Sequence, residues 1–451
     1  MGKFLSSRIG IVCALVGSTL LFDQATAVAL DDDKSNGALA QGLAAANAQQ
    51  FPLALEYFSS AYKAEPEKQE IWFDLGLVSS KIPGHELRAI AFLKAYLLAV
   101  PNSTKREPIK DLVTQLSLRV KSVELAILDE LRAKLMTAAD LKGIGGECGP
   151  WGTQADREAR AGFADRALKT SQHTGKVRCN LQNGNFVLAL ADGGNLVEVR
   201  KLQASWVPQD YDWYINTVDL RSGAETMDRL LAAYARQDDL EDAENVFAKV
   251  QSHSGLGEGT LLLACKLSRA GNRELAKKRL LELRDASLAR ANANHNPQSA
   301  IDYTLNQVAR ALTLNGDKQA ADETMTRVQD ESTRAQFAAF VAHPGPYSPN
   351  YRTAHLFYMT LGNGANYINI NRPEEECWFP EARVKNLLSI GVEGIHVYEN
   401  NQEICSDIEL TRCLALIKKL KGRNSLGWGS YEYLGFLSDA ITDAYNFLRE
   451  R

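Results

Sequence analysis

The chain has 451 residues, 45% of them hydrophobic and 24% charged, with a formal net charge of −4. That composition is ordinary for globular protein and excludes long disorder as the main state, while the length allows two or three domains. No run of Lys or Arg forms a nucleic-acid footprint, so no nucleic-acid partner is expected.

Lys3 and Arg8 precede a largely apolar stretch, Ile9 to Phe22, and Ala25-Thr26-Ala27 supplies small residues ahead of a cleavage point. This is the layout of a secretory signal peptide, and the apolar stretch is short for a bilayer span. Cleavage is expected after Ala27, with Ala29 as second choice, so residues 1–27 are read as the signal. The rest of the chain holds no second long apolar run. The expectation is an exported protein, periplasmic or secreted, most simply in a bacterial envelope, with no membrane span in the mature chain.

From residue 35 the chain reads as helix. One pattern runs Gly42, Ala54, Phe58, Ala61, Pro66 and recurs as Gly76, Ala89, Leu93, Tyr96, Pro101. The Ala and Pro steps are both 35 residues and the Gly step is 34, a period that marks stacked helix-turn-helix units. Pro52 suits the first turn of a helix, and Pro66 and Pro101 stop helices. Apolar residues then recur at steps of three or four from Ile109 to Leu135, giving a third helical element as one long helix or two. These elements make an N-terminal solenoid over residues 35–137.

Both units resemble the tetratricopeptide repeat (TPR) family, whose signature places an aromatic, Leu-Gly, then Ala, Phe, Ala and Pro at set offsets. Trp72, Leu75 and Gly76 carry the opening half, and Ala54, Phe58, Ala61 and Pro66 the closing half. The resemblance implies that the first helix of each pair lines a groove for a peptide or protein partner. By motif position the groove residues are Leu39, Leu43, Ala46 and Asn47, then Phe73, Asp74, Leu77 and Ser80. The family's carboxylate-clamping subclass needs Lys and Asn where Leu39 and Leu43 stand. An apolar groove for an extended or helical segment is therefore expected, or else packing of these residues against another part of the chain.

Residues 138–152 contain the glycine-rich run Lys142 to Gly152 and read as a linker, because no phosphate-cradling spacing is present. Helix is expected from Ala155 to Leu168. Helix-turn-helix pairs then recur around Gly194-Asn195, Asp238-Asp239, Gly271-Asn272 and Gly316-Asp317. Ala243 with Phe247, Ala276 with Leu280, and Ala321 with Met325 repeat the spacing of Ala54 with Phe58. Residues 153–342 thus read as a second, degenerate TPR-like solenoid. Three prolines between His343 and Pro349 end it. Residues 343–451 read as a mostly helical region with an irregular first half. A capping box at Ser406 opens a helix to Lys421, and a final helix runs from Ser430 to Arg449.

Seven cysteines become six if the signal is removed, and an exported chain with an even count favours disulfides. Cys148, Cys179, Cys377, Cys405 and Cys413 are the candidates. Cys405 and Cys413 are about 11–12 Å apart if both lie on the helix capped by Ser406, too far to pair, so Cys377 is the natural partner for one of them. Cys148 and Cys179 flank the helix after the linker. Cys265, inside an apolar helical stretch, reads as a small core residue. His343, His355 and His396 share a region with Glu374, Glu375, Glu376 and Cys377, but no metal-ligand spacing links them. No GxSxG is present either. No metal, cofactor or catalytic residue is expected. The fold class is all-α, a helix-turn-helix solenoid in two runs with a C-terminal helical segment containing irregular loops. The expected function is a non-catalytic interaction scaffold. The alternative places a sugar- or peptide-binding or enzymatic module in 344–451, with Tyr347, Tyr351, Tyr358, Trp378 and Trp428 at its cleft.

Overall fold

A computed structural model describes residues 34–137, 149–172, 184–204, 220–251, 257–294, 298–346, 357–360, 364–366, 373–393, 395–399, 402–406 and 430–449. The signal read over 1–27, most of the glycine-rich stretch, Cys148, Cys179, Tyr347, Tyr351, Cys413 and Trp428 lie outside these residues. The chain divides into two compact units, residues 1–67 and 68–451.

The first unit contains one helical hairpin, α1 (Lys34–Asn47) and α2 (Phe51–Ala64). Pro52 sits in the first turn of α2, where its missing N–H costs nothing. Ala54, Leu55, Phe58 and Ala61 form the buried stripe of α2. The helices touch at Gly42, where a Cβ would come within 2.6 Å of the Phe58 ring.

The second unit opens with α3 (Gln69–Ser79) and α4 (Glu86–Ala99), which pack on each other and repeat that contact. A Cβ on Gly76 would lie 2.7 Å from Leu93 Cγ. The Gly and Phe/Leu positions of the two sequence units therefore perform the same close approach. The apolar stripe from Ile109 to Leu135 forms a single long helix, α5 (Arg106–Thr137).

Five further pairs and a closing helix follow. They are α6 (Gly149–Arg160) with α7 (Ala164–Ser171), α8 (Gly184–Asp192) with α9 (Leu196–Ala204), and α10 (Leu220–Arg236) with α11 (Leu240–Gln251). Then come α12 (Glu258–Arg269) with α13 (Arg273–Asn294), α14 (Gln298–Asn315) with α15 (Lys318–Met325), and α16 (Glu331–Ala342). Each first helix packs on its partner and on the first helix of the next pair, from α6 through α8, α10, α12 and α14 to α16. That nearest-neighbour stacking is a helical solenoid. Its core includes Ala243, Phe247, Ala276, Leu280, Ala321 and Met325, the three pairs spaced like Ala54 and Phe58.

Six of the described hairpin turns share one device. Gly194, Asp238, Gly271 and Gly316 have positive φ, as do Gln49 and Gly162. At each of these six, the residue's N–H donates three residues back and the following N–H donates five residues back; Gly194 donates to Ala191 and Asn195 to Leu190. This paired bond satisfies the last carbonyls of the first helix and reverses the chain. The turn at Gly162, φ +85°, divides the single helix expected over Ala155–Leu168 into α6 and α7.

Two aspartates couple successive pairs. Asp228 of α10 accepts from the N–H groups of Gly257, at 3.0 Å, and Gly259, at 2.9 Å, where α12 begins. Asp302 of α14 accepts from Gln329 and Asp330, at 3.1 and 2.8 Å, where α16 begins. Each satisfies amides at a helix start that lacks intrahelical partners.

The C-terminal region adds α17 (Pro373–Trp378), α18 (Pro380–Glu393), α19 (Ser430–Arg449) and a small sheet beside the helical solenoid. Its strands β1 (Phe357–Thr360), β2 (Gly364–Asn366), β3 (Ile395–Glu399) and β4 (Gln402–Ser406) have the order β2-β1-β3-β4. β1 and β3 are parallel, and the outer pairs are antiparallel. Ser406, expected as a helix cap, closes β4, and Cys405 lies opposite Val397 of β3. The helix expected beyond it falls outside the described residues. The final helix occupies Ser430–Arg449 and packs on α5, α4 and α6. Among the described residues, no helix is long and apolar enough to cross a membrane.

Candidate functional site

The groove positions read from the sequence divide between the two units. On α1, Leu39 and Leu43 are half-buried, Ala46 is buried and Asn47 is exposed. On α3, Phe73, Asp74, Leu77 and Ser80 at its end are all buried. The Phe73 ring lies 5.2 Å from that of Tyr96, and Lys105 Nζ stands 4.4 Å above its centroid. Burial pushes the Asp74 carboxyl up to about 7; Lys105 opposes that rise and Glu70 adds to it.

Sequence spacing gave no sign of a cleft of about 540 Å³ in the second unit. Six helices line it. α4 contributes Lys94, Leu97 and Leu98; α5 contributes Arg106 and Lys110; α10 contributes Arg236. α12 adds Leu262, Lys266 and Arg269, α17 adds Glu376 and Cys377, and α18 adds Arg383 and Leu387. Seven lining residues are cationic and one is acidic, in a chain whose net charge is −4.

The wall on the C-terminal side is held by several independent bonds. Cys377 of α17 forms a disulfide with Cys265 of α12, their Cα atoms 6.2 Å apart. Cys265 is thus both a core residue and a cross-link, and Cys377 pairs with it rather than with Cys405 or Cys413. The physical reason is the packing of α17 directly on α12. That contact brings two residues 112 positions apart within bonding range. Arg269 Nη1 donates to the Cys377 carbonyl at 3.3 Å. Glu376 accepts from Arg383 at 3.3 Å and from Asn386 Nδ2 at 2.8 Å, tying α17 to α18.

α18 in turn packs on α4, where Arg88 donates to the Val392 carbonyl at 2.9 Å in the last turn of α18. Lys94 and Arg383 donate to the carbonyls of Leu448 and Phe447 at the end of α19. Cations at helix C-termini are favourable because the unpaired carbonyls there carry partial negative charge. A Cβ on Gly391 would come within 2.8 Å of the Phe92 ring, so α18 and α4 approach as closely as the solenoid pairs do.

Arg106, Lys110, Lys266 and Arg269 meet carbonyls or exposed acids. Arg106 donates to the carbonyls of Leu97 and Pro101 at the end of α4, dipoles that favour its charge without neutralising it. Lys110 pairs with Glu107 and Lys266 with Asp238, and both acids are well exposed. Such pairs hold weakly against solvent. Leu98, about half exposed, offers an apolar surface beside these charges.

Of the other candidates, Trp378 is half-buried on α17 and Tyr358 lies in β1. Among the described residues, no group of three or more His, Cys, Asp or Glu is placed to hold a metal ion. No protein-family model matches the chain, and neither curated proteins nor solved structures yield a match to it.

Proposed function

We propose that this chain is an exported, TPR-like scaffold that binds a protein partner without transforming it, and that the partner enters the six-helix cleft. The observation that carries the reading is the cleft itself. It is a concave receptacle of about 540 Å³ with leucines and charges drawn from residues 94 to 387 and fixed by a disulfide. Helical solenoids present such surfaces to protein partners. The Cys265–Cys377 bond supports the exported location, since disulfides persist in oxidising compartments. The repeated Gly42–Phe58 and Gly76–Leu93 contacts support kinship with the TPR family. The burial of Phe73, Asp74 and Leu77 favours the cleft over α3 as the contact surface.

The second reading, a ligand site within 344–451, is favoured by Glu376, Cys377, Arg383 and Leu387 in the cleft wall. On that view the solenoid and the C-terminal region form one site together. An affinity pull-down from the envelope fraction of the exporting organism tests the proposal. Leu98→Lys in the cleft should lose the partner, and Leu118→Lys, on the exposed face of α5, should retain it. Retention by both folded variants would remove the cleft from the account.

A further inference from the structure

Resting on that reading, we propose that the cleft's occupant is an acidic segment of a protein, carboxylate-rich and bearing an apolar side chain. The argument starts from charge. Arg106 and Lys110 lie one turn apart on α5, and Lys266 and Arg269 lie one turn apart on α12, so two helices each bring a cationic pair to one cavity. Among the described lining residues seven are cationic and one, Glu376, is acidic, and Lys110 and Lys266 pair with the exposed Glu107 and Asp238. Like charges gathered this way repel one another, and an anion in the cleft removes that repulsion and gains attraction.

Leu98 and Leu262, which line the same cavity, give an apolar side chain a place to lie. An arginine fork also matches a carboxylate with two parallel hydrogen bonds. A nucleic acid fits less well, because no lining residue among the described residues is aromatic and stacking platforms are what hold unpaired bases. The net charge of −4 also sets the rest of the surface against an extended polyanion.

Fluorescence anisotropy on the oxidised full-length protein tests this. The probes are a labelled hexapeptide of alternating Glu and Leu and its Gln-Leu counterpart, with inorganic phosphate as competitor. The acidic peptide should bind at least about tenfold more tightly than the amide peptide, and its affinity should fall as salt rises. Arg106→Gln and Lys266→Gln should each weaken it by about tenfold, the usual scale of a lost charged hydrogen bond. Lys201→Gln, an exposed cation on α9, should leave it unchanged. Circular dichroism melts identify any variant that fails to fold, and two independent cations are probed.

Equal affinity for the two peptides, no binding of the acidic peptide, or indifference to both cleft substitutions overturns the proposal. Displacement by millimolar phosphate, with the acidic and amide peptides otherwise equal, makes the cleft a small-anion site and also overturns it. The scaffold reading fails separately. It falls if Leu98→Lys leaves the pulled-down partner in place, and it survives if Leu98→Lys releases a partner whose binding ignores salt and the cationic residues.

Discussion

Replacing Gly76 by alanine tests the close helix approach on which the repeat pattern depends. The added Cβ would lie 2.7 Å from Leu93 Cγ, 2.8 Å from Leu93 Cδ2 and 3.3 Å from the Leu93 backbone nitrogen. Leu93 is completely buried, so its side chain has no free space to retreat into, and the α3–α4 pair must open. Overpacking of this kind costs about 1–3 kcal/mol. Alanine's better helix propensity offsets about 1 kcal/mol of that. The expected net loss is up to about 2 kcal/mol, read as a lower urea midpoint by circular dichroism and tryptophan fluorescence.

Two controls fix the cause. At Gly37 of α1 a Cβ meets nothing within 4 Å, so Gly37→Ala should stabilise by up to about 1 kcal/mol. Leu93→Ala alone should cost about 2–5 kcal/mol. In that background Gly76→Ala should become neutral or stabilising, for a coupling of about 1–3 kcal/mol. A Gly76→Ala effect that is the same in both backgrounds would show that the approach is not what the glycine serves.

Three further outcomes follow from buried groups. Burial raises the Asp74 and Asp156 carboxyls to about 7 and Asp228 to about 6, from 3.8 in the unfolded chain. The folded state therefore holds protons that the unfolded state releases. The stability due to these groups is full below about pH 4 and is lost as pH rises through 6 and 7, by up to about 1.4 kcal/mol per pH unit for each. Urea midpoints should be higher at pH 5 than at pH 8, and Asp74→Asn with Asp228→Asn should reduce the difference; a steeper rise in the double variant would contradict the assignment. Cys265→Ser with Cys377→Ser removes a link between residues 112 apart, worth up to about 5 kcal/mol by loop entropy. Denatured wild-type protein should release two more thiols with reductant than the double variant does; equal release would refute the bond. Glu158, fully buried, accepts from Arg166 at 2.7 Å, Gln154 at 3.0 Å and Thr170 at 2.5 Å. Glu158→Ala should cost about 1–3 kcal/mol, since Gln154 and Thr170 lose their acceptor while Arg166 keeps its pair with Asp129, whereas Lys201→Ala in an exposed pair should cost under about 1 kcal/mol.

The helical turns were legible in the sequence because left-handed backbone needs particular residues. Gly194, Asp238, Gly271 and Gly316 announce themselves by composition. Gly162 carries the same signal, but apolar spacing continues across it and masks the break. The aspartate couplings had a signal too: Asp228 and Asp302 are acids on otherwise apolar helix faces, and each meets amides about 27–31 residues downstream.

The cleft and the disulfide had no such local signature. Lys94, Arg106, Lys266 and Arg383 meet only because α17 docks on α12 and α18 on α4. Periodicity within one helix says nothing of that docking. Cys265 looked like core because it is core, and its bond depends on a helix 112 residues away. Pairing of β4 with β3 had no local signature either, because it joins Ile395–Glu399 to Gln402–Ser406 within a sheet whose other strands lie about 30–40 residues upstream.

Photo-crosslinking in the exporting organism tests the central claim most directly. A photoreactive residue replacing Leu98 in the cleft, compared with one replacing Leu118 on the exposed face of α5, reports which surface meets the partner. The account predicts a protein adduct from position 98 that is lost when Arg106 and Lys266 are also changed to Gln, and none from position 118. Adducts from position 118 with none from position 98 would contradict it.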